Sequence, residues 1–191
     1  MTVGGVDTRL VAAGSQVEYV PDSGHGFHSV HVAALSVGSG GQISGVGSAD
    51  IPVESNAILD TGTNVLLLPS HLISALQSQI CERGSLPSCT DLFSNRCVAL
   101  EESQVDSYPA LNLHLTNNVT LHMSARDYLL KGSPQAKVAG QYCLGIRDGG
   151  SAGGSGFIIG DTTMRNYVLV FDLAEKKIGW GPVNAETCGS L

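Results

Sequence analysis

The chain is poor in charge, in aromatic rings and in long apolar runs. Of its 191 residues 14% are charged and 5% aromatic, with a single tryptophan. Lys and Arg number 10 against 17 Asp and Glu, a formal net charge of −7. Binding nucleic-acid phosphates needs clustered cations, so no nucleic-acid partner is expected. No run approaches the ~18 apolar residues of a membrane span, so none is expected. The opening Met1-Thr2-Val3-Gly4-Gly5 lacks the basic and apolar regions of a signal peptide. That leaves a native cytosolic start, or a methionine set before a piece of something longer.

Zinc-type cysteine pairs are lacking too. Cys81, Cys89, Cys97, Cys143 and Cys188 contain no C-x-x-C and no finger spacing. Disulfides in a secretory-pathway protein fit them better, and an odd count leaves one thiol over. Asn118-Val119-Thr120 is a glycosylation acceptor triplet and points the same way. Two chemistries are excluded by missing motifs. There is no Gly-x-Ser-x-Gly elbow of a serine hydrolase. The glycine-rich Gly149–Gly156 is not followed by the Lys-Ser/Thr of a phosphate cradle and reads as a loop. His25, His28 and His31 are spaced by three, but in a stretch that reads as strand, where residues three apart point to opposite faces. No metal site and no cofactor is expected.

What the chain has is 24 glycines and many short apolar runs broken by Gly, Ser, Asn and Pro. This composition predicts a mainly β fold, and the length predicts one domain over residues 1–191. His28 to Val37 reads as a strand ending at the turn Gly38-Ser39-Gly40-Gly41. Leu72, Ile73, Leu76 and Ile80 recur at helical spacing, which predicts a helix over 69–80 with Pro69 in its first turn. Ala110 to Leu115 alternates, with Leu111, Leu113 and Leu115 on one face, and pairs with Val119 to Met123 through a turn at Asn117-Asn118. Ser124 reads as the cap of a short helical turn. Phe157 to Ile159 is a short buried strand. Tyr167–Phe171 and Lys177–Trp180 form a hairpin turning at Leu173–Lys176.

One stretch stands out: Ala57-Ile58-Leu59-Asp60-Thr61-Gly62-Thr63, followed by a second apolar run. A carboxylate between apolar runs needs donors if it is buried. Gly62 lets backbone N–H groups come close, and Thr63 supplies a hydroxyl. About a hundred residues later comes Phe157-Ile158-Ile159-Gly160-Asp161. Together these resemble the pepsin-like aspartic proteases, in which the second segment threads the loop of the first in a psi-shaped motif. Thr2-Val3-Gly4-Gly5-Val6-Asp7 resembles the strand that begins the second half of such enzymes. Tyr167–Asp172 with Ile178-Gly179-Trp180 resembles their closing hairpin.

The resemblance covers nearly the whole chain but only the C-terminal lobe. No second Asp-Thr-Gly is present, and no Tyr-Gly flap hairpin precedes Asp60. The resemblance implies the psi-loop fold of one lobe and a role for Asp60 as one member of a catalytic carboxylate dyad. It implies that the Gly62 N–H and the Thr63 hydroxyl hold the Asp60 carboxylate, and that Thr61 bonds across to the other lobe. Ile159 and Gly160 support the site, Val65 and Leu67 line the cleft floor, and Asp161 is structural, an N-cap for Thr162–Arg165. It also implies a Cys97–Cys143 bridge. Cys81 and Cys89 pair with each other, or one of them pairs with Cys188; the sequence leaves both open.

The expected function is half of a bilobal endopeptidase acting on peptides with apolar residues beside the scissile bond. Its expected partners are the substrate and an N-terminal lobe, and its expected location is secreted, lysosomal or vacuolar. Alone, it is expected to be inactive and to self-associate through an exposed apolar face and an open strand near Thr2. Two other readings are a homodimeric protease of retroviral type and a non-catalytic binding or inhibitory lobe.

Overall fold

The computed structural model describes residues 2–24, 26–38, 50–82, 86–150, 152 and 156–188, with only the backbone of Cys188. His25, most of the Gly38–Gly41 turn and part of the Gly149–Gly156 loop therefore lie outside the described residues. The strands are β1 (Glu18–Pro21), β2 (Ser29–Val37), β3 (Ile51–Leu59), β4 (Leu66–Leu68), β5 (Leu111–Leu115), β6 (Thr120–Met123), β7 (Leu129–Lys131), β8 (Tyr142–Leu144), β9 (Ile146–Asp148), β10 (Ile158–Ile159), β11 (Tyr167–Asp172) and β12 (Lys177–Pro182). The helices are α1 (Ser70–Cys81), α2 (Cys89–Phe93), α3 (Glu102–Val105), α4 (Ala125–Tyr128), α5 (Asp161–Met164) and α6 (Ala185–Cys188). The fold is mainly β, with short helices and mixed sheets, consistent with one lobe of the pepsin-like fold.

The described residues form a sheet in the order β6-β5-β2-β3-β10-β4-β9, a second in the order β1-β12-β11, and the pair β7-β8. Burial explains which runs became central. Val30, Val32, Leu35 and Val37 of β2 are buried, and so are Leu111, Leu113 and Leu115 of β5 opposite them. β10 lies between β3 and β4, parallel to β3 and antiparallel to β4. Both of its residues are buried. A two-residue strand could not persist alone. Its neighbours supply hydrogen bonds on both sides and apolar cover on both faces.

Local signals explain the helix and turns. α1 buries Leu72, Leu76 and Ile80, while Ile73 is only partly buried at the side of the stripe. Pro69 stands at the N-cap rather than in the first turn, because its extended ψ of 144° ends β4 before the helix begins. Asn117 and Asn118 both take φ of 59° at the β5–β6 turn, a conformation asparagine tolerates. Ser124 caps α4 within a reciprocal capping box with Asp127. β11 and β12 pair in unbroken register. Their turn is held by Asp172, whose Oδ1 accepts from the N–H groups of Ala174 and Glu175.

Two expectations are corrected. Thr2–Asp7 is not a strand: Gly4 takes φ of 83°, and Asp7 instead caps a 3-10 turn over Thr8–Leu10, accepting from Arg9 N–H at 3.1 Å. Asp161 is the first residue of α5 and Gly160 is its N-cap, because the backbone changes from extended to helical at Gly160. The helices α2, α3 and α6 and the strands β7, β8 and β9 are too short for their periodicity to be read from sequence.

Disulfides join Cys97 to Cys143 and Cys81 to Cys89. The alternative pairing of Cys188 with Cys81 or Cys89 is thereby excluded. The Cys97–Cys143 bridge spans 46 positions, which corresponds to about 4 kcal/mol in the chain-entropy picture.

Gly160 is the tightest position of the threaded strand. A Cβ there would stand 2.2 Å from the Thr63 carbonyl oxygen and 2.3 Å from that of Val65. Gly160→Ala should therefore cost about 3 kcal/mol or more in urea unfolding. A cost below about 1 kcal/mol would show that the loop yields without resistance.

Candidate active site

Asp60 stands where β3 ends, on a backbone pinned from both sides. The N–H of Leu59 donates to the His28 carbonyl at 2.9 Å, and the N–H of Asp60 donates to the Ile159 carbonyl at 3.1 Å. The chain then turns tightly, with the Thr63 N–H returning to the Asp60 carbonyl at 3.1 Å. The N–H of Asp161 donates to the Thr63 carbonyl at 2.8 Å. The Asn64 carbonyl receives both the N–H of Thr162, at 3.2 Å, and its hydroxyl, at 2.8 Å. The loop carrying the carboxylate is thus bolted to the segment that follows β10.

The carboxylate itself is partly buried and held at both oxygens. The Gly62 N–H donates to Oδ1 at 2.8 Å and the Thr63 hydroxyl to Oδ2 at 2.6 Å. Both donors favour the ionised form, the Thr63 hydroxyl most, and they hold the group below the usual carboxylate range against a small opposing effect of burial. Among the described residues no cation and no second carboxylate contributes to that shift. A carboxylate has about four lone-pair positions. Two are taken by these donors, so two remain. Gly62 is small for a reason: a Cβ there would sit 3.1 Å from Oδ1 and push against the acceptor it serves.

The other residues singled out from sequence fall around this turn. Thr61 is exposed at its tip, Val65 and Leu67 are partly buried, and Ile159 is fully buried beneath. Asn118 is exposed at the β5–β6 turn, remote in sequence from Asp60. His28 and His31 have separate partners. His28 Nδ1 lies 2.6 Å from Asp22 Oδ2, whereas His31 contacts Asn56 and Glu54.

Sequence reasoning missed two contributors. Thr162 is fully buried and makes the Asn64 contacts. A threonine directly after Gly-Asp, beside a fixed loop, was the available signal. Asp22 accepts from the N–H groups of Gly24 and Ser29, each at 3.0 Å, and so orders the loop whose His28 carbonyl receives Leu59. The signal was local: Asp22-Ser23-Gly24 is an Asp-Ser-Gly, and its carboxylate accepts from the glycine N–H two residues on as Asp60 does from Gly62.

The family profile "eukaryotic aspartyl protease" matches residues 1–183, and the chain belongs to that family. It is similar to napsin-A of Mus musculus, at 29% identity over 84% of this chain and 35% of the relative. Similarity to pepsin A of Sus scrofa is 27% identity over 95% of this chain and 41% of the relative. Aspartic proteinase 36 of Arabidopsis thaliana aligns at 25% identity over 70% of this chain and 27% of the relative. The chain thus spans between about a quarter and two-fifths of the length of these relatives.

Thr63→Val should raise the Asp60 pKa, read by carboxyl NMR titration. A folded-state pKa held below the unfolded value contributes stability above the unfolded pKa, and loses it as pH falls through the folded one. The stability gap between wild type and Thr63→Val should therefore be open at neutral pH and close on acidification below the ordinary carboxylate range. A gap independent of pH would mean that the hydroxyl acts by packing alone.

Proposed function

We propose that the chain is the C-terminal lobe of a bilobal aspartic endopeptidase and that Asp60 is one of its two catalytic carboxylates. The observation that carries this reading is the Asp60 carboxylate, pinned at both oxygens by Gly62 and Thr63 in a chain of the aspartyl protease family. The short span relative to the matched proteins supports a missing partner lobe.

The chemistry requires two carboxylates. At about 3 Å they cannot both ionise, so they share one proton, and the apparent pKa values belong to the pair. The ionised member takes a proton from a bound water while the protonated member donates to the scissile carbonyl oxygen. The water oxygen attacks the carbonyl carbon, and the amine leaves with a proton returned from the pair. No covalent enzyme intermediate forms. In this scheme Gly62 and Thr63 hold Asp60 oriented and favour its charged form. Thr61, at the exposed tip, bonds to its counterpart in the other lobe. Ile159 and Gly160 support the loop, and Val65 and Leu67 lie on the cleft side.

The substrate is an extended peptide with apolar side chains beside the scissile bond, covered by a flap from the other lobe. The two disulfides fit an oxidising secretory-pathway compartment. Exposed Asn118 is open to glycosylation there. The lone chain lacks the second carboxylate and is inactive.

The test is cleavage of a quenched apolar peptide at about pH 4, where such a dyad holds one proton. No turnover is expected from the chain at any concentration. Turnover is expected once the preceding part of its own gene product is supplied, with a loss of about three orders of magnitude or more in Asp60→Asn. Turnover rising more steeply than linearly with chain concentration would instead favour a homodimeric site. Activity that survives Asp60→Asn would overturn the assignment altogether.

A further inference from the structure

Directly paired residues of a sheet point to the same face. The registers therefore set one row across the large sheet: Ser29 of β2, Ile58 of β3, Ile158 of β10, Leu67 of β4 and Arg147 of β9. Their neighbours Ala57, Leu66 and Leu68 point the other way and are buried in the core. Asp60 follows β3 with the parity of Ile58, and its N–H still pairs with β10, so the row lies on the Asp60 side of the sheet. Ile58 and Leu67 are partly exposed, and Ile158 is nearly covered. From Ile58 to Leu67 the row is apolar. At the sheet edge it ends in a guanidinium.

That guanidinium has no counterion. Arg9, Arg96 and Arg126 each pair with a carboxylate. Arg147 pairs with none among the described residues. Its Nη1 donates to Asn95 Oδ1 and its Nη2 to Gln135 Oε1, both neutral side-chain oxygens. Its Nε–H is buried and has no acceptor among the described residues. The adjacent Asp148 alternates to the other face, where it accepts from the Ser70 hydroxyl and the Gly150 N–H. Arg147 is partly buried, which lowers its pKa, and no charge contributes to that shift. A cation taken from water without a partner is costly, and a guanidinium offers five donors in a planar fork that matches a carboxylate. Asn95 and Gln135 are exposed, so both can yield to an anion.

We propose that Arg147 determines specificity by receiving an acidic side chain of the peptide substrate, given the reading of Asp60 and its face as one wall of a peptidase cleft. Three strand spacings of about 4.8 Å separate Ile58 from Arg147, about 14 Å in all. An extended peptide covers that span in about four residues. The apolar row meets the side chains near the scissile bond, and an Asp or Glu of the substrate meets Arg147 about four residues away. The formal charge of −7 disfavours acidic peptides elsewhere on the chain, so the acid is admitted at this one position.

The test joins the chain to the preceding part of its gene product and offers quenched apolar peptides with Asp, Asn or Lys at each position in turn. At about pH 5 an Asp side chain is ionised. At one position, about four residues from the scissile bond, kcat/KM should favour Asp over Asn by about tenfold. Arg147→Gln should bring that ratio to about one, and Arg147→Glu should turn the preference to Lys. A purely structural role would lower all three peptides alike. Equal kcat/KM for Asp and Asn at every position, or a preference that survives Arg147→Gln, would overturn the proposal and leave the reading of Asp60 intact. Should the joined protein show no turnover, the reading of Asp60 fails by itself, and binding to the lone chain decides the proposal. The NMR signal of the Arg147 Nε–H should then shift on adding one of the Asp peptides and stay in place with its Asn counterpart. The same signal decides if circular dichroism shows the variants unfolded. A signal that moves with no Asp peptide, or equally with Asp and Asn, would overturn the proposal.

Discussion

The structure depends on one constraint: a two-residue strand, β10, must lie between β3 and β4. Those two strands are consecutive in the chain, and the turn between them carries Asp60. Because β10 occupies the gap, the turn cannot close into a hairpin and has to arch over the incoming segment. Its carbonyls then face the residues that follow β10, and those residues answer them. Asp161 donates to Thr63, and Thr162 donates twice to Asn64. Each such bond contributes about 1 kcal/mol net, but leaving the buried groups unpaired would cost more. The threading and the loop therefore stabilise each other, and Gly160 is the residue small enough to let the two backbones meet.

The chemistry of the site follows from the rigidity of that arch. A free surface aspartate samples many rotamers and is solvated on all sides. Asp60 has one oxygen committed to an N–H and the other to a hydroxyl, both within three residues of it. Its orientation is set by the backbone rather than by its own torsions. By itself it is a carboxylate of lowered pKa, and the proposed function sets it against a second acid. Membership of the aspartyl protease family and the partial coverage of the relatives support that proposal.

Much of the fold is legible in the sequence where a local rule decides the outcome. The alternation of Leu111, Leu113 and Leu115, the helical spacing of Leu72, Leu76 and Ile80, and the apolar run that became β2 all reflect burial of one face or both. The reach of Gly62 and Thr63 to the carboxylate is also local, because a turn brings groups two and three residues apart together. What the sequence hides is set at long range. Asp22 and Thr162 serve the Asp60 turn from distant segments. The tyrosine that closes the β6 edge, Tyr167, comes from another sheet. At Thr2–Asp7 the family resemblance suggested a strand, and local chemistry prevailed instead: a positive φ at Gly4 and the Asp7 cap.

The most direct test of this account is amide hydrogen exchange at Asp60, Asp161 and Thr162. If the threaded strand and the arch are one cooperative unit, these three amides exchange only through global unfolding, with opening free energies equal to one another and to the stability of the whole chain. Exchange of Asp60 or Asp161 by a separate, low-energy local opening would contradict it, because the turn would then be a loop resting on the sheet rather than one locked by it.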